Sequence, residues 1–387
     1  MRFKRYTTEW TKINLSNYLC VSSKRNKDGR FSKEDVLSVS GELGIVNQIA
    51  LLGRSYAGES VLPYHIVEKG DIVYTKSPLA LYPYGIIKTN RNKVGIVSTL
   101  YAVYKTKDNA NNRFIEHYFS LKSRINNYLK PIVRIGAKHD MKIGNNEVLE
   151  NIVAFPDIIE QCEIADFLDL LDNRISVQNK IISKYETLIK GLSCDYFSKQ
   201  PNHIAKLKDL IIKGKAGGTP SSTIAEYYNG NIPFLSISDM TRQGKYVEFT
   251  EKHISENGLA NSSAWIVPSN SLILSMYASV GLVCINKVPL ATSQAMFSMV
   301  LKDCNMLDYI YYYLNFFRET QIHRLLETGT QSNINADTVR DIEIPFYSNI
   351  LVFVKTLQAI ENRLNNEKDM LSRLMDLKTY LLSSLFI

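Results

Sequence analysis

The sequence is poor in the residues that build disulfide frameworks and metal sites. Its five cysteines, at 20, 162, 194, 284 and 304, are odd in number and nowhere form a C-x-x-C pair. That argues against a disulfide scaffold and against a cysteine zinc site, and a cytoplasmic location is the simplest expectation. No run of 18 apolar residues exists, so no spanning helix and no membrane role is expected. The opening stretch, MRFKRYTTEW, is basic without an apolar core behind it and does not read as a signal peptide. Catalytic motifs are equally scarce. The order Gly214-Lys215-Ala216-Gly217-Gly218-Thr219 is not a P-loop, and G-x-G-x-x-G and H-E-x-x-H are absent. The six histidines are scattered, and the His139-Asp140 pair lacks a nucleophile. Pro156-Asp157 and Glu160 suggest a nuclease carboxylate pattern, but Cys162 stands where its lysine belongs. No Asn-Pro-Pro-Tyr-like methyltransferase loop occurs. These absences predict a chain that is not an enzyme and carries no cofactor or metal.

What is present is a length of 387 residues, 45% hydrophobic and 22% charged, enough for two or three packed domains. The net charge of +8 is uneven: residues 1–150 carry +11, whereas residues 201–345 carry −1. A basic first half points to a polyanion partner, most often nucleic acid.

The chain also repeats itself once. Asn173-Arg174 aligns with Asn362-Arg363 at an offset of 189, which also pairs Pro156 with Pro345, Ile175 with Leu364, Leu188 with Leu377, Leu192 with Leu381 and Phe197 with Phe386. The offset is a whole number of heptads. An apolar stripe at helical spacing follows in both copies. In the first it runs through Ile164, Phe167, Leu168, Leu171, Ile175, Ile182, Tyr185, Leu188 and Leu192. In the second it runs through Leu357, Ile360, Leu364, Leu371, Leu374, Leu377, Leu381 and Leu385. Polar residues interrupt both stripes at matching places, Arg174 and Gln178 against Arg363 and Glu367. Each helix would be ~57 Å long and needs a partner along its length. An antiparallel coiled coil of the two is predicted.

Two globular segments flank these helices. The predicted organisation is residues 1–155, a long helix over 156–200, residues 201–345, and a second long helix over 346–387. Lys69-Gly70-Asp71-Ile72-Val73-Tyr74 resembles Ser269-Asn270-Ser271-Leu272-Ile273-Leu274, Val97-Ser98-Thr99 sits like Thr292-Ser293-Gln294, and Phe114 to Tyr118 matches Tyr309 to Tyr313. Strand and turn signals mix with these helical stretches, so the fold class is α+β, two mixed domains separated by the helix pair.

Two segments of the second half carry the most information. One is GGTPSSTIAEYYNGNIPFLSISDM from Gly217, the other ETGTQSNINADTVRDIEIPF from Glu327. Their hydroxyl and amide groups can bond phosphates or base edges. With the two-fold repeat and the two D-N-R-I/E-N-R-L helices, they make the chain resemble the specificity subunit of Type I restriction-modification systems. The first globular half matches more loosely: it lacks G-G-T-P-S, and Gly136-Ala137-Lys138-His139 stands where the second half has Gly329-Thr330-Gln331-Ser332.

The resemblance implies two target-recognition domains, each reading half of a bipartite site on double-stranded DNA. The coiled coil would set the spacer, since its length exceeds one DNA turn of ~34 Å. Two methyltransferase subunits and motor-nuclease subunits would be the protein partners. The methyltransferase would flip the adenine and use S-adenosylmethionine. Expected DNA contacts in the first domain are Lys24, Arg25, Lys27, Arg30, Lys76, Tyr82, Tyr84 and Arg91, basic or aromatic residues in turn-rich segments. In the second they are Thr219, Ser221, Ser236, Ser238, Asp239, Arg242, Tyr277, Gln294, Thr330 and Gln331. The rival readings are an enzyme in its own right, such as a fused nuclease or methyltransferase, a coiled-coil assembly protein and an RNA-binding module.

Overall fold

In the computed structural model, residues 5–79, 81–135, 141–325 and 333–386 are described. The chain falls into two units, Met1–Lys180 with Lys368–Ile387, and Ile181–Glu367. Each takes part of both long helices.

The first unit is built on a four-stranded antiparallel sheet in the order Leu19–Val21, Tyr101–Thr106, Ile72–Thr75, Ile87–Thr89. The central strand, Ile-Val-Tyr-Thr, is buried on both faces, as β-branched and aromatic residues favour. The second unit repeats this sheet as Ile211–Ala216, Met296–Leu301, Leu272–Ser275, Val283–Asn286. It adds Tyr246–Val247 parallel to the last strand. The central strands pair in the same register: Ile72 faces Tyr104, and Leu272 faces Met299.

The turn before each central strand is also the same. Gly70 has φ +94° and Asn270 has φ +57°, the left-handed region that glycine and asparagine enter most readily. Behind each turn lies a fully buried asparagine. Asn90 donates to the carbonyls of Val67, Glu68 and Lys93. Asn286 donates to those of Val267, Pro268 and Val288. A buried amide with all these partners ties its own turn to the segment that precedes the central strand.

Each segment closes by pairing its first and last strands, Thr11–Asn14 with Ile152–Phe155, and His203–Lys206 with Glu343–Phe346. The closing strand leads into a long helix, Ile158–Phe197 or Ile350–Ser384. Within the first unit Lys378 pairs with Asp172 at 2.5 Å. Within the second, the rings of Tyr196 and Phe353 stack at 3.8 Å. The early part of one helix therefore lies against the late part of the other, the antiparallel coiled coil expected.

The buried seam keeps the expected stripe apart from three residues. Its members on the first helix are Ile164, Leu168, Leu171, Ile175, Gln178, Ile182, Tyr185, Ile189, Leu192 and Tyr196, spaced four and three in strict alternation. The second helix repeats it 189 residues on, from Phe353 through Leu357, Ile360, Leu364, Glu367, Leu371, Leu374, Lys378 and Leu381 to Leu385. Phe167, Leu188 and Leu377, expected on the seam, are 40%, 45% and 46% exposed. Both helices are apolar on more than one stripe, and composition alone does not say which stripe faces the partner. Arg174 and Arg363 also point outward, whereas Gln178 is buried and Glu367 half-buried. No helix among the described residues is long and apolar enough to cross a membrane.

Candidate nucleic-acid interface

Each globular segment is seated on the long helices by its own helix, Asn112–Tyr118 or Leu307–Thr320. Phe386, at the end of the second long helix, packs on Phe114 and Tyr118 at 5.3 and 5.6 Å. Phe197, at the end of the first, packs on Tyr309 and Tyr313 at 5.8 and 5.2 Å. The charges beside these rings differ. In the first unit Asp169 accepts from Arg91 at 2.6 Å, Arg113 at 2.9 Å and His117 at 2.8 Å. Burial alone would raise this carboxyl, but His117 and Arg91 hold it well below the ordinary range. In the second unit Lys245, nearly buried, pairs with Asp308 and Glu361, both at 2.7 Å. Tyr312 also donates to Glu361, at 2.5 Å. Burial would lower the Lys245 ammonium, but Glu361 and Asp308 keep it above its usual value. The ligand-like trio of His117, Asp169 and Asp172 belongs to this seat, because Arg91, Arg113 and Lys378 already pair with its carboxylates.

Arg91, expected as a DNA contact, is thus held in the seat, bonded to Glu116 as well as Asp169. Lys24, Arg25, Lys27 and Arg30 share one loop. Its anchor is Asn26, fully buried, which bonds the backbone of Phe31 in both directions and also donates to Val61 O. This leaves Lys27 and Arg30 exposed. Lys24 pairs with Glu68 at 2.7 Å, Lys105 with the same carboxylate at 2.5 Å. Lys105 first, then Lys24, holds Glu68 down at about 2. Arg25 caps Pro63 O and bridges to His65. Burial, then Arg25 and Lys76, lowers the His65 imidazole to about 4. Lys76, Tyr82 and Tyr84 lie on the hairpin loop between Ile72–Thr75 and Ile87–Thr89. Lys76 donates to Asn145 at 2.6 Å, and Tyr84 O accepts from Tyr74. Tyr82 and Tyr84 rest partly buried on the core.

In the second unit the corresponding hairpin loop carries Tyr277, 42% exposed. Ladder pairing brings several expected residues to one place. Leu235 pairs with Thr292 on parallel strands, so Ser236 and Ser293 are the next positions side by side. Thr219 bonds the side chain of Gln294. Gly217 and Gly218 allow this approach: a Cβ on either would lie 2.0 Å from Thr292 O or 2.3 Å from Ser263 Oγ. Ser221 bonds Thr223 at 2.8 Å. Ser236 and Asp239 form a capping box on Ile237–Gln243, and Asp239 is fully buried. Arg242 is paired with Asp239 and Glu251. Ser238 bonds Ser236 at 2.8 Å. Thr330 and Gln331 lie outside the described residues, as do Gly136 to Asp140. Ile334 N donates to the carbonyl of Met276.

Sequence reasoning missed Asn26, Asn90 and Asn286, whose signal is only an asparagine next to a strand. Thr99, aligned with Gln294 in the sequence but not among the expected contacts, occupies the same turn. Leu100 N bonds Ser98 Oγ, and Ala295 N bonds Ser293 Oγ, each at 3.3 Å.

A duplicated α+β segment, with loops gathered at strand ends and a coiled coil behind, defines a modular recognition protein. The profile of the family described as Type I restriction modification DNA specificity domain matches twice, over residues 63–187 and 201–368. The chain belongs to this family. It is 30% identical over 147 residues to the Type I restriction enzyme MjaIX specificity subunit of Methanocaldococcus jannaschii, covering 38% of this chain and 34% of that one. It is 31% identical over 180 residues to the HindI specificity subunit of Haemophilus influenzae, covering 44% and 38%. The matched segments thus span little more than a third of these relatives. Among solved structures, the S subunit of the Type I system of M. genitalium aligns over 100% of this chain and 99% of its own, with TM-score 0.61 and 14% identity. A chain solved in work on complex assembly and conformational transition of the type I R-M system aligns over 98% of each, with TM-score 0.58 and 14% identity. These two likenesses are of fold.

Proposed function

We propose that this chain is the DNA sequence-recognition subunit of a Type I restriction-modification complex. Residues 1–155 and 201–345 are its two target-recognition domains, each reading one half of a bipartite duplex site. The helix pair sets the unread spacer. The chain performs no chemistry itself; a methyltransferase subunit bound to it modifies adenine.

The observation that carries this reading is the duplication of one scaffold with two different sets of loop side chains. A symmetric scaffold suits a duplex, and divergent loops suit two different half-sites. Family membership supports the same reading. Docking of two methyltransferase subunits is supported by the outward apolar stripe of the helices. Phe167, Leu170, Val177 and Leu188 on the first helix, and Met370, Leu377 and Tyr380 on the second, are all at least 40% exposed. Apolar residues recurring on one face in this way mark a protein interface. Motor-nuclease subunits would join the methyltransferase-bearing complex.

The test is to express the chain with its companion methyltransferase subunit and map methylated adenines by long-read sequencing. A bipartite motif with a fixed unread spacer is expected, and exchange of residues 201–345 should change one half of it. Assembly of the complex without any new methylation would overturn the reading.

A further inference from the structure

The turn that follows the strand Gly95–Val97 in the first domain and Ala291–Thr292 in the second has one backbone and two chemistries. In both, a serine hydroxyl accepts from the residue two positions on. The serine carbonyl accepts from the residue three positions on, Tyr101 at 3.0 Å and Met296 at 3.2 Å. Neighbouring chain then locks the second turn from both sides. Gly218 N donates to Thr292 O at 2.9 Å, Gly217 N to Met296 O at 3.1 Å, and Met276 N to Ala295 O at 2.8 Å. The residues at the tip remain outside this network of backbone bonds. Thr99 and Gln294 are exposed, and Leu100 is 60% exposed although it is a leucine. A turn with the same internal bonds in both copies, locked by neighbouring chain in the second and presenting exposed side chains that differ between the two, has the properties required of a sequence reader.

We infer that this turn is the base-reading tip of each domain, with Gln294 specifying one base of the second half-site and Thr99 with Leu100 one base of the first. The inference rests on the proposed DNA-recognition function. The Gln294 amide offers a donor and an acceptor on one plane, which matches the N6 and N7 edge of adenine in the major groove. Thr219, bonded to the Gln294 oxygen, fixes the orientation of that plane and leaves the second lone pair of the oxygen to accept. Thr99 and Leu100 present a methyl-rich tip, which suits the 5-methyl group of thymine.

The experiment uses the chain co-expressed with its methyltransferase subunit, reading the methylated motif of wild type, Gln294→Ala, Gln294→Glu and the double variant Thr99→Gln, Leu100→Ala. Gln294→Ala should relax one adenine position of a single half-site by roughly 5- to 150-fold, the discrimination a bidentate contact supplies. Gln294→Glu, which keeps the size and accepts only, should move that position toward cytosine. The double variant should change one position of the other half and leave the first intact. If wild type yields a bipartite motif that both Gln294 variants leave unchanged, the turn does not read the base and the inference falls alone. If wild type yields no bipartite motif, the recognition function falls and takes the inference with it.

Discussion

His65 and Trp265 are each the second residue before the valine that a buried asparagine holds, and each ring is buried with a nitrogen that finds no hydrogen-bond partner among the described residues. One ring can take a proton and the other cannot. The same contrast runs through the two units. Both have the sheet, the left-handed turn, the buried asparagine and the aromatic clasp of Phe386 or Phe197. The charges laid over that common frame are reversed. Arg113 and Asp308 hold the second position of corresponding helices: Arg113 faces the carboxylate of Asp169, whereas Asp308 accepts from the uncharged Gln358 and pairs with the cation Lys245. The frame is set by packing and satisfied amides, which tolerate little change. The seats and loops are set by surface chemistry, which the two copies have exchanged freely.

The largest expected effects of substitution at neutral pH test the seats. Glu361→Ala leaves Lys245, only 10% exposed, with Asp308 as its one remaining carboxylate partner named above and takes the acceptor from the Tyr312 hydroxyl, and should cost about 2 kcal/mol in the second unit. Asp169→Ala should destabilise the first unit by a similar or smaller amount, since Arg91 and Arg113 are 40% and 37% exposed and reach water more easily. Hydrogen exchange read segment by segment should show each loss in its own unit. Equal loss of protection in both units would break the comparison.

Acid should come next. His65 titrates near 4 in the folded chain against about 6.5 when unfolded. The unfolded chain therefore binds the proton first, and stability falls as pH drops from about 6.5 toward 4, by about 3 kcal/mol in all. His65→Phe should abolish this fall, measured as the pH dependence of exchange in residues 65–106. The second unit, with Trp265 in that place, should show no such window.

Removal of either buried amide should cost about 2 kcal/mol, because three carbonyls lose their donor in a dry site. Asn90→Ala and Asn286→Ala should match within the error of a denaturant titration. A difference larger than twofold would mean the two frames are not equivalent. The smallest effect concerns the basic loop. Glu68→Gln releases Lys24 and Lys105 from their carboxylate, so non-specific duplex binding should tighten. Its salt dependence should steepen by about one unit of slope. A corresponding neutralisation at Glu251 in the second domain, which pairs with Arg242, should do less.

Much of this arrangement is legible in the residues themselves. The pairing of Lys69–Tyr74 with Ser269–Leu274 predicts both central strands and the turns before them, and the structure puts Gly70 and Asn270 in the same left-handed conformation. The pairing of Phe114–Tyr118 with Tyr309–Tyr313 falls on the two helices that seat the globular segments. The edge of the seam was less legible than its phase. Phe167 and Leu188 satisfy a heptad as well as Leu168 and Ile189 do, and only the partner helix distinguishes them. The candidate DNA contacts divide the same way. Lys27, Arg30, Tyr277 and Gln294 are exposed on loops, whereas Arg91 and Asp239 are held in ion pairs or caps. Residue type could not separate these groups, because an arginine suited to a phosphate is equally suited to a carboxylate.

By itself the sequence determined the duplication, its offset, the helical period and the positions of the turns. These depend on local steric and hydrophobic patterning, which each stretch of chain carries with it. Only the tertiary structure decided which helical stripe is covered, which cations are neutralised and which turn stands exposed at the strand ends. Those outcomes depend on groups far apart in the chain, such as Arg91 with Asp169 and Lys245 with Glu361, and burial is a property of the pair rather than of either residue alone.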